Sequence, residues 1–133
     1  MRILLIEDSK DILFLMKMEL EGMGYTVVTA RDGAAGLDLA KRERPDLIIS
    51  DIKMPGLNGV ELIKQLRSIP ELASTPSIAL TGYGKQELED GAVDGYDAHV
   101  SKPVDPNELS ELIERLVSNK TRPIRVEPTS KQL

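Results

Sequence analysis

The run Leu47-Ile48-Ile49-Ser50-Asp51-Ile52, ended by Met54-Pro55-Gly56, shows no alternation of apolar and polar positions. A strand with one wet face alternates, so a short β-branched run that does not is buried on both sides, as in a parallel sheet covered by helices. Arg2-Ile3-Leu4-Leu5-Ile6 and Pro76-Ser77-Ile78-Ala79-Leu80 have the same character. In open α/β sheets, ligands bind outside the carboxyl ends of such strands, which puts Asp51 where chemistry is expected. Taken alone, Asp51 is equally a strand-end or turn aspartate.

Helical patterns fill the intervals. Glu7-Asp8-Ser9 can cap a helix over about Lys10–Met23, with Ile12, Leu15, Met16, Leu20 and Met23 at helical spacing. Tyr25–Ala30 reads as a strand, and Asp32-Gly33 opens a second helix that Pro45 prevents from continuing. Asn58 and Glu61 have capping spacing for a third helix ending before Pro70. Residues 85–94 give the weakest helix signal, with Gly91 inside an acidic stretch, and are expected to be short or mobile. Ala98-His99-Val100 is a brief fifth strand. Asp105-Pro106-Asn107-Glu108 starts a fifth helix to about Ser118, burying Leu109, Leu112, Ile113 and Leu116. Five strands alternating with five helices predict an α/β, flavodoxin-like, doubly wound (βα)5 fold with a five-stranded parallel sheet in the order 2-1-3-4-5.

The 133 residues suit one compact domain over 1–118, followed by a basic, Pro-containing tail over 119–133 that reads as extended or disordered. The absence of cysteine excludes a disulfide framework and thiol chemistry. No apolar run reaches the about 18 residues of a membrane span, and no leader pattern stands at Met1, so a cytoplasmic protein without membrane insertion is expected. The formal charge is −5, and Lys120, Arg122, Arg125 and Lys131 of the tail stand against Glu127 alone, so the body is more acidic still. An acidic body with one Phe and no Trp argues against a nucleic-acid surface, which needs cations and stacking platforms.

In the expected topology Glu7 and Asp8, Asp51, Thr81 and Lys102 leave four different strands at one edge. Carboxylates brought together without a cation repel and raise one another's pKa, so the cluster asks for a hard cation, and Mg2+ fits oxygen ligands that include one or two carboxylates and a phosphate. Lys102 supplies a movable charge and Thr81 a hydroxyl donor, both suited to phosphoryl oxygens. Asp51 would then be the nucleophile that forms an acyl phosphate.

These residues carry a resemblance. Glu7-Asp8, Asp51 with Met54-Pro55-Gly56 and Gly59, Thr81-Gly82 and Lys102-Pro103 match in order and spacing the receiver domain of two-component response regulators, here of a stand-alone, single-domain type. The resemblance covers about residues 2–118. It implies a phosphorelay switch rather than an enzyme proper, with Asp51 phosphorylated from a sensor histidine kinase or a histidine phosphotransfer protein. It also implies self-catalysed phosphorylation and slow dephosphorylation. Glu7, Asp8, Asp51 and the backbone carbonyl of Lys53 would hold Mg2+, while Thr81 and Lys102 read the phosphate. His99 falls at the family's switch position, often Tyr or Phe. Lys53 and Tyr83 fall where family members tune phosphate lifetime, and Ile12 and Val104 where they dock the phosphodonor. The output would be a contact made by the surface of helix four, strand five and helix five with an output protein that remains to be identified, the chain being a monomer or homodimer. The alternative is an interaction module that keeps the fold without phosphorylation.

Overall fold

The structure, a computed structural model, describes residues 1–82, 91 and 93–121, with the side chains of 119–121 left aside. Strands β1 (Arg2–Ile6), β2 (Thr26–Ala30), β3 (Leu47–Asp51), β4 (Ser77–Thr81) and β5 (Ala98–Ser101) form one sheet in the order β2-β1-β3-β4-β5. Every neighbouring pair is parallel. This is the expected doubly wound fold, with strand ends within a residue of the expected ones. Helices α1 (Lys10–Gly22), α2 (Gly33–Glu43), α3 (Gly59–Arg67) and a C-terminal helix (Pro106–Thr121) cover its faces.

Each strand feeds two cores because its neighbouring side chains point to opposite faces. Leu4, Ile6, Ile48 and Ala79 pack with Ala40 of α2 and Leu62, Ile63 and Leu66 of α3. Ile3, Leu5, Ile49, Ile78 and Leu80 pack with Met16 and Leu20 of α1 and Leu109 and Ile113 of the C-terminal helix. The unbroken apolar runs of β1 and β3 follow from this double burial.

The caps read from sequence form. Ser9 Oγ accepts from Ile12 N–H at 3.4 Å, Asp32 Oδ1 from Ala35 N–H at 2.8 Å, and Asn58 Oδ1 from Glu61 N–H at 3.0 Å. Arg44 closes α2 in the left-handed region, at φ 47°, immediately before Pro45. Beyond α3, the Arg67 guanidinium donates to the carbonyls of Leu72, Ala73 and Thr75 and to Ser77 Oγ and Asp97 Oδ2. Asp97 Oδ2 also accepts from Ser77 N–H at 2.8 Å, so one cation ties the end of α3 to the start of β4 and the turn before β5.

Two expectations need correction. Leu15, at the helical spacing expected for the buried face of α1, is 56% exposed, while Leu13, two residues earlier, packs inward. At about 100° per residue, Leu15 stands roughly a quarter-turn from Met16, at the margin of the apolar stripe, and lies beside Phe14 and Met18, both more than half exposed. The C-terminal helix also runs to Thr121, three residues past the expected end. No Gly or Pro stands between Ser118 and Thr121 to stop it. The helix expected over 85–94 falls mostly outside the described residues, as does the tail beyond Thr121; Gly91, Val93 and Asp94 form a turn in which Asp94 N–H donates to Gly91 O. Among the described residues, no helix is long and apolar enough to cross a membrane.

Candidate functional site

The carboxyl ends of β1 and β3 bring Glu7, Asp8 and Asp51 together, with one carboxylate oxygen from each lying within 4.8 Å of the others. Glu7 and Asp51 are almost fully buried. Glu7 is held from two directions. Its backbone N–H donates to Ala30 O at 3.1 Å, and its Oε2 accepts from Ser9 N–H at 2.9 Å, so the cap of α1 also aims the acidic pair. Lys102, in the loop after β5, reaches back with Nζ 2.6 Å from Asp51 Oδ1 and 3.1 Å from Glu7 Oε1. Its own N–H donates to Thr81 O at 2.9 Å, which extends the β4–β5 pairing to the lysine.

One ammonium does not satisfy three carboxylates. Asp51 Oδ2 is buried without a hydrogen-bond partner, and Glu7 Oε1 is ion-paired with Lys102 at 3.1 Å without a hydrogen bond. Burial, followed by the neighbouring Glu7, pushes the Asp51 carboxyl from 3.8 up to about 8, against the lowering influence of Lys102. Burial alone would lower the Lys102 pKa, but Asp51 and then Glu7 outweigh it and raise the ammonium above its usual range. Unsatisfied oxygens of this kind in one cluster suit a divalent cation of the Mg2+ type, which Glu7, Asp8 and Asp51 could hold.

Thr81 ends β4 beside this cluster, but its hydroxyl is engaged elsewhere. Thr81 Oγ1 lies 3.3 Å from Val100 O and 3.3 Å from Ser101 Oγ, both on β5. His99 lies on the same strand, exposed and in register with Ala79. Lys53 is exposed in the loop after β3, and Tyr83 lies outside the described residues. Ile12 and Val104 are half-buried against the core shared by α1 and the C-terminal helix.

The chain matches the description "response regulator receiver domain" over residues 3–114. It belongs to that family. Membership makes this receiver domain a component of two-component, phosphorelay signalling, in which receivers act as switches that interact with histidine kinases or phosphotransfer proteins. It is 35% identical over 112 residues to the polar-differentiation response regulator DivK of Brucella anthropi, covering 84% of this chain and 91% of that one. It is 30% identical over 121 residues to sporulation initiation phosphotransferase F of Bacillus subtilis, covering 90% and 96%. The receiver domain of the sensor histidine kinase PA1611 of Pseudomonas aeruginosa PAO1, described with a magnesium ion coordinated in its active-site cleft, superposes with a TM-score of 0.84 at 27% identity, covering 88% and 97%.

Arg31, Tyr96 and Gly33 add to this region beyond the site residues expected from sequence, Gly33 having been read only as part of a helix start. Arg31 leaves β2, the strand that contributes none of the expected site residues, and its Nη2 donates to Asp8 O at 3.2 Å. Tyr96, in the turn before β5, donates its hydroxyl to Gly59 O at 2.8 Å. Burial, the main cause, pushes that hydroxyl up to about 12, so it stays a donor. Gly33, at the first position of α2, sits where a Cβ would collide with the Leu57 carbonyl, locking the exits of β2 and β3 together. A strand-end rule applied to β2 would have found Arg31. The other two depend on long-range approach that no local pattern encodes.

Proposed function

We propose that Asp51 is the phosphoryl acceptor of this receiver and that the reaction depends on Mg2+. The observation that carries this reading is the buried Asp51 with one oxygen on Lys102 at 2.6 Å and the other unpartnered. In the transfer, an Asp51 oxygen attacks phosphorus in line with the departing nitrogen of a phosphohistidine. Lys102 stays with the acceptor and moves with it onto the phosphoryl oxygens, offsetting charge that develops there. Glu7, Asp8, Asp51 and the Lys53 carbonyl would hold the cation, which when bound neutralises the phosphoryl oxygens. The same residues support acceptance from small phosphodonors and slow hydrolysis, both catalysed by the receiver itself.

The added phosphoryl group brings about −1.5 to −2 charge and three acceptor oxygens. Thr81 answers by turning its hydroxyl from Val100 and Ser101 toward the phosphate. Both bonds given up lie on β5, so the change passes to the strand that carries His99 and to the surface it shares with the helices on either side. Ile12 and Val104 dock the kinase or phosphotransfer partner through the parts of their side chains left outside the core. Lys53 and Tyr83 govern access of water to the acyl phosphate.

Incubation with Mg2+ and acetyl phosphate is expected to add one phosphoryl mass to the wild type and none to Asp51→Asn. An unlabelled wild type that still binds beryllofluoride would leave an interaction module without phosphorylation. On the same labelled sample, Lys53→Ala and Tyr83→Ala are each expected to change the decay rate by about threefold, since altering the approach of one water is worth a fraction of a catalytic step; unchanged decay in both would remove them from the reaction. NMR of the His99 ring with and without beryllofluoride checks its switch role, which an unmoved ring would end.

A further inference from the structure

The exits of β1 and β2 supply Asp8, Arg31 and Asp32, and the exit of β3 supplies Pro55, Gly56 and Leu57, to an open groove of about 670 Å³ beside the acidic cluster. Among the described residues of this lining, Arg31 is the single cation. Its guanidinium is anchored through one nitrogen to the Asp8 carbonyl at 3.2 Å, its side chain is exposed, and among the described residues it forms no ion pair. A guanidinium fixed at one corner keeps further N–H donors in a planar fork, the geometry that pairs with a carboxylate through two parallel hydrogen bonds. The surrounding Asp8 and Asp32 repel anions, so an anionic group that enters the groove has Arg31 as its partner.

We propose that this groove is a leaving-group subsite for acyl phosphates, with Arg31 holding the carboxylate that departs. The inference rests on Asp51 being the acceptor. An Asp51 oxygen forms the new bond to phosphorus while the bond from phosphorus to the acyl oxygen breaks. That oxygen keeps the bonding pair and leaves as a carboxylate, so the leaving group takes up no proton, and the attacking Asp51 is the carboxylate form. Negative charge therefore grows on the departing group in the transition state, where Arg31 stabilises it more than in the bound donor. Phosphoramidate transfers the same phosphoryl group differently. Its P–N bond breaks, the pair stays on the already protonated nitrogen, and neutral ammonia leaves, which gains nothing from a guanidinium.

The full chain, with Mg2+, is phosphorylated by each donor over a range of concentrations, and the rate is followed by intact mass. Arg31→Gln removes the charge but keeps an N–H for the Asp8 carbonyl, and Arg31→Lys keeps the charge. The ratio of the acetyl phosphate rate to the phosphoramidate rate is expected to fall about tenfold in Arg31→Gln, the loss of one charge-assisted pair in the transition state, and to survive largely in Arg31→Lys. A ratio unchanged in Arg31→Gln overturns the subsite, whether both rates fall together, which assigns Arg31 to holding Asp8 in place, or neither does. A wild type labelled by neither donor overturns the reading of Asp51 and the subsite with it, whereas labelling by phosphoramidate at an unchanged ratio overturns the subsite alone.

Discussion

Gly59→Ala is expected to lower the unfolding free energy by at least about 3 kcal/mol, the upper range for forcing an extra carbon into a packed interior, and to cut phosphoryl incorporation at Asp51 with it. A Cβ at this position would meet the Asp51 carbonyl, with Ile52 Cα at 2.8 Å and the Tyr96 hydroxyl at 3.0 Å. Two of these three obstacles are backbone, which cannot rotate away. The position is also tied from both sides, by Gly59 N–H donating to Ile52 O at 2.7 Å and by Tyr96 donating to Gly59 O. Relief therefore requires α3 to withdraw from the end of β3, which shifts the residue that carries Asp51. Urea unfolding and phosphorylation by acetyl phosphate read the two effects separately. Retention of stability to within about 1 kcal/mol would show that α3 yields without disturbing the strand, in which case the labelling should also survive.

That glycine illustrates how the molecule was and was not legible in its sequence. Its place in the motif could be read from spacing after Asp51, but the physical reason for it could not, because the obstacles come from β3 and from Tyr96, thirty-seven positions onward. The sheet order and the capped helix starts were readable because they depend on local pattern: unalternating runs, a cap residue, a proline. The convergence of Glu7, Asp8, Asp51 and Lys102 was readable at one remove, since the topology rule alone carries strand ends to one edge. What resisted was anything set by rotation about a helix or by distant partners. Leu13 falls about 20° from the buried Leu20 around α1 whereas Leu15 falls about 100° from Met16, so a count of apolar residues at helical spacing admits one that the stripe leaves outside. The Arg67 network joins residues from α3 to Asp97 and has no sequence signature beyond one arginine after an apolar face.

The orientation of Thr81 was likewise beyond the sequence, and it bears on how the switch works. A threonine at a strand end can offer its hydroxyl in either direction. Here it faces β5, with Val100 O and Ser101 Oγ each 3.3 Å away. Under the proposed phosphorylation, the phosphate would compete for one hydroxyl hydrogen with acceptors at 3.3 Å, long for a hydroxyl donor and therefore weak. In the proposed switch, a threonine held this weakly would need little differential binding energy to change state.

Lys102→Met, studied in EDTA, is expected to destabilise the protein by about 3 kcal/mol at about pH 10, the lower end for breaking a buried ion pair because the ammonium is partly exposed. Removing Lys102 leaves the buried carboxylates of Glu7 and Asp51 facing each other with the cation gone. The loss should depend on pH. Asp51 has a folded pKa near 8 against 3.8 when unpaired, so the native state holds the extra proton between those values. Stability from this group is then fully present below about pH 4 and is lost as pH rises through about 8, because the unfolded chain gives up its proton first. Without the lowering influence of Lys102 the folded pKa moves higher and the slope continues to more alkaline pH. The variant should therefore approach the wild type near pH 5, where Asp51 is protonated in both, and fall away from it above about pH 8. A double variant with Asp51→Asn should recover most of the loss, since the coupling belongs to the pair and not to the lysine alone. A deficit that stays the same from acid to alkaline pH, or that Asp51→Asn leaves untouched, would mean that Lys102 supports the loop after β5 by packing, and that the repulsion between Glu7 and Asp51 is relieved by something other than its charge.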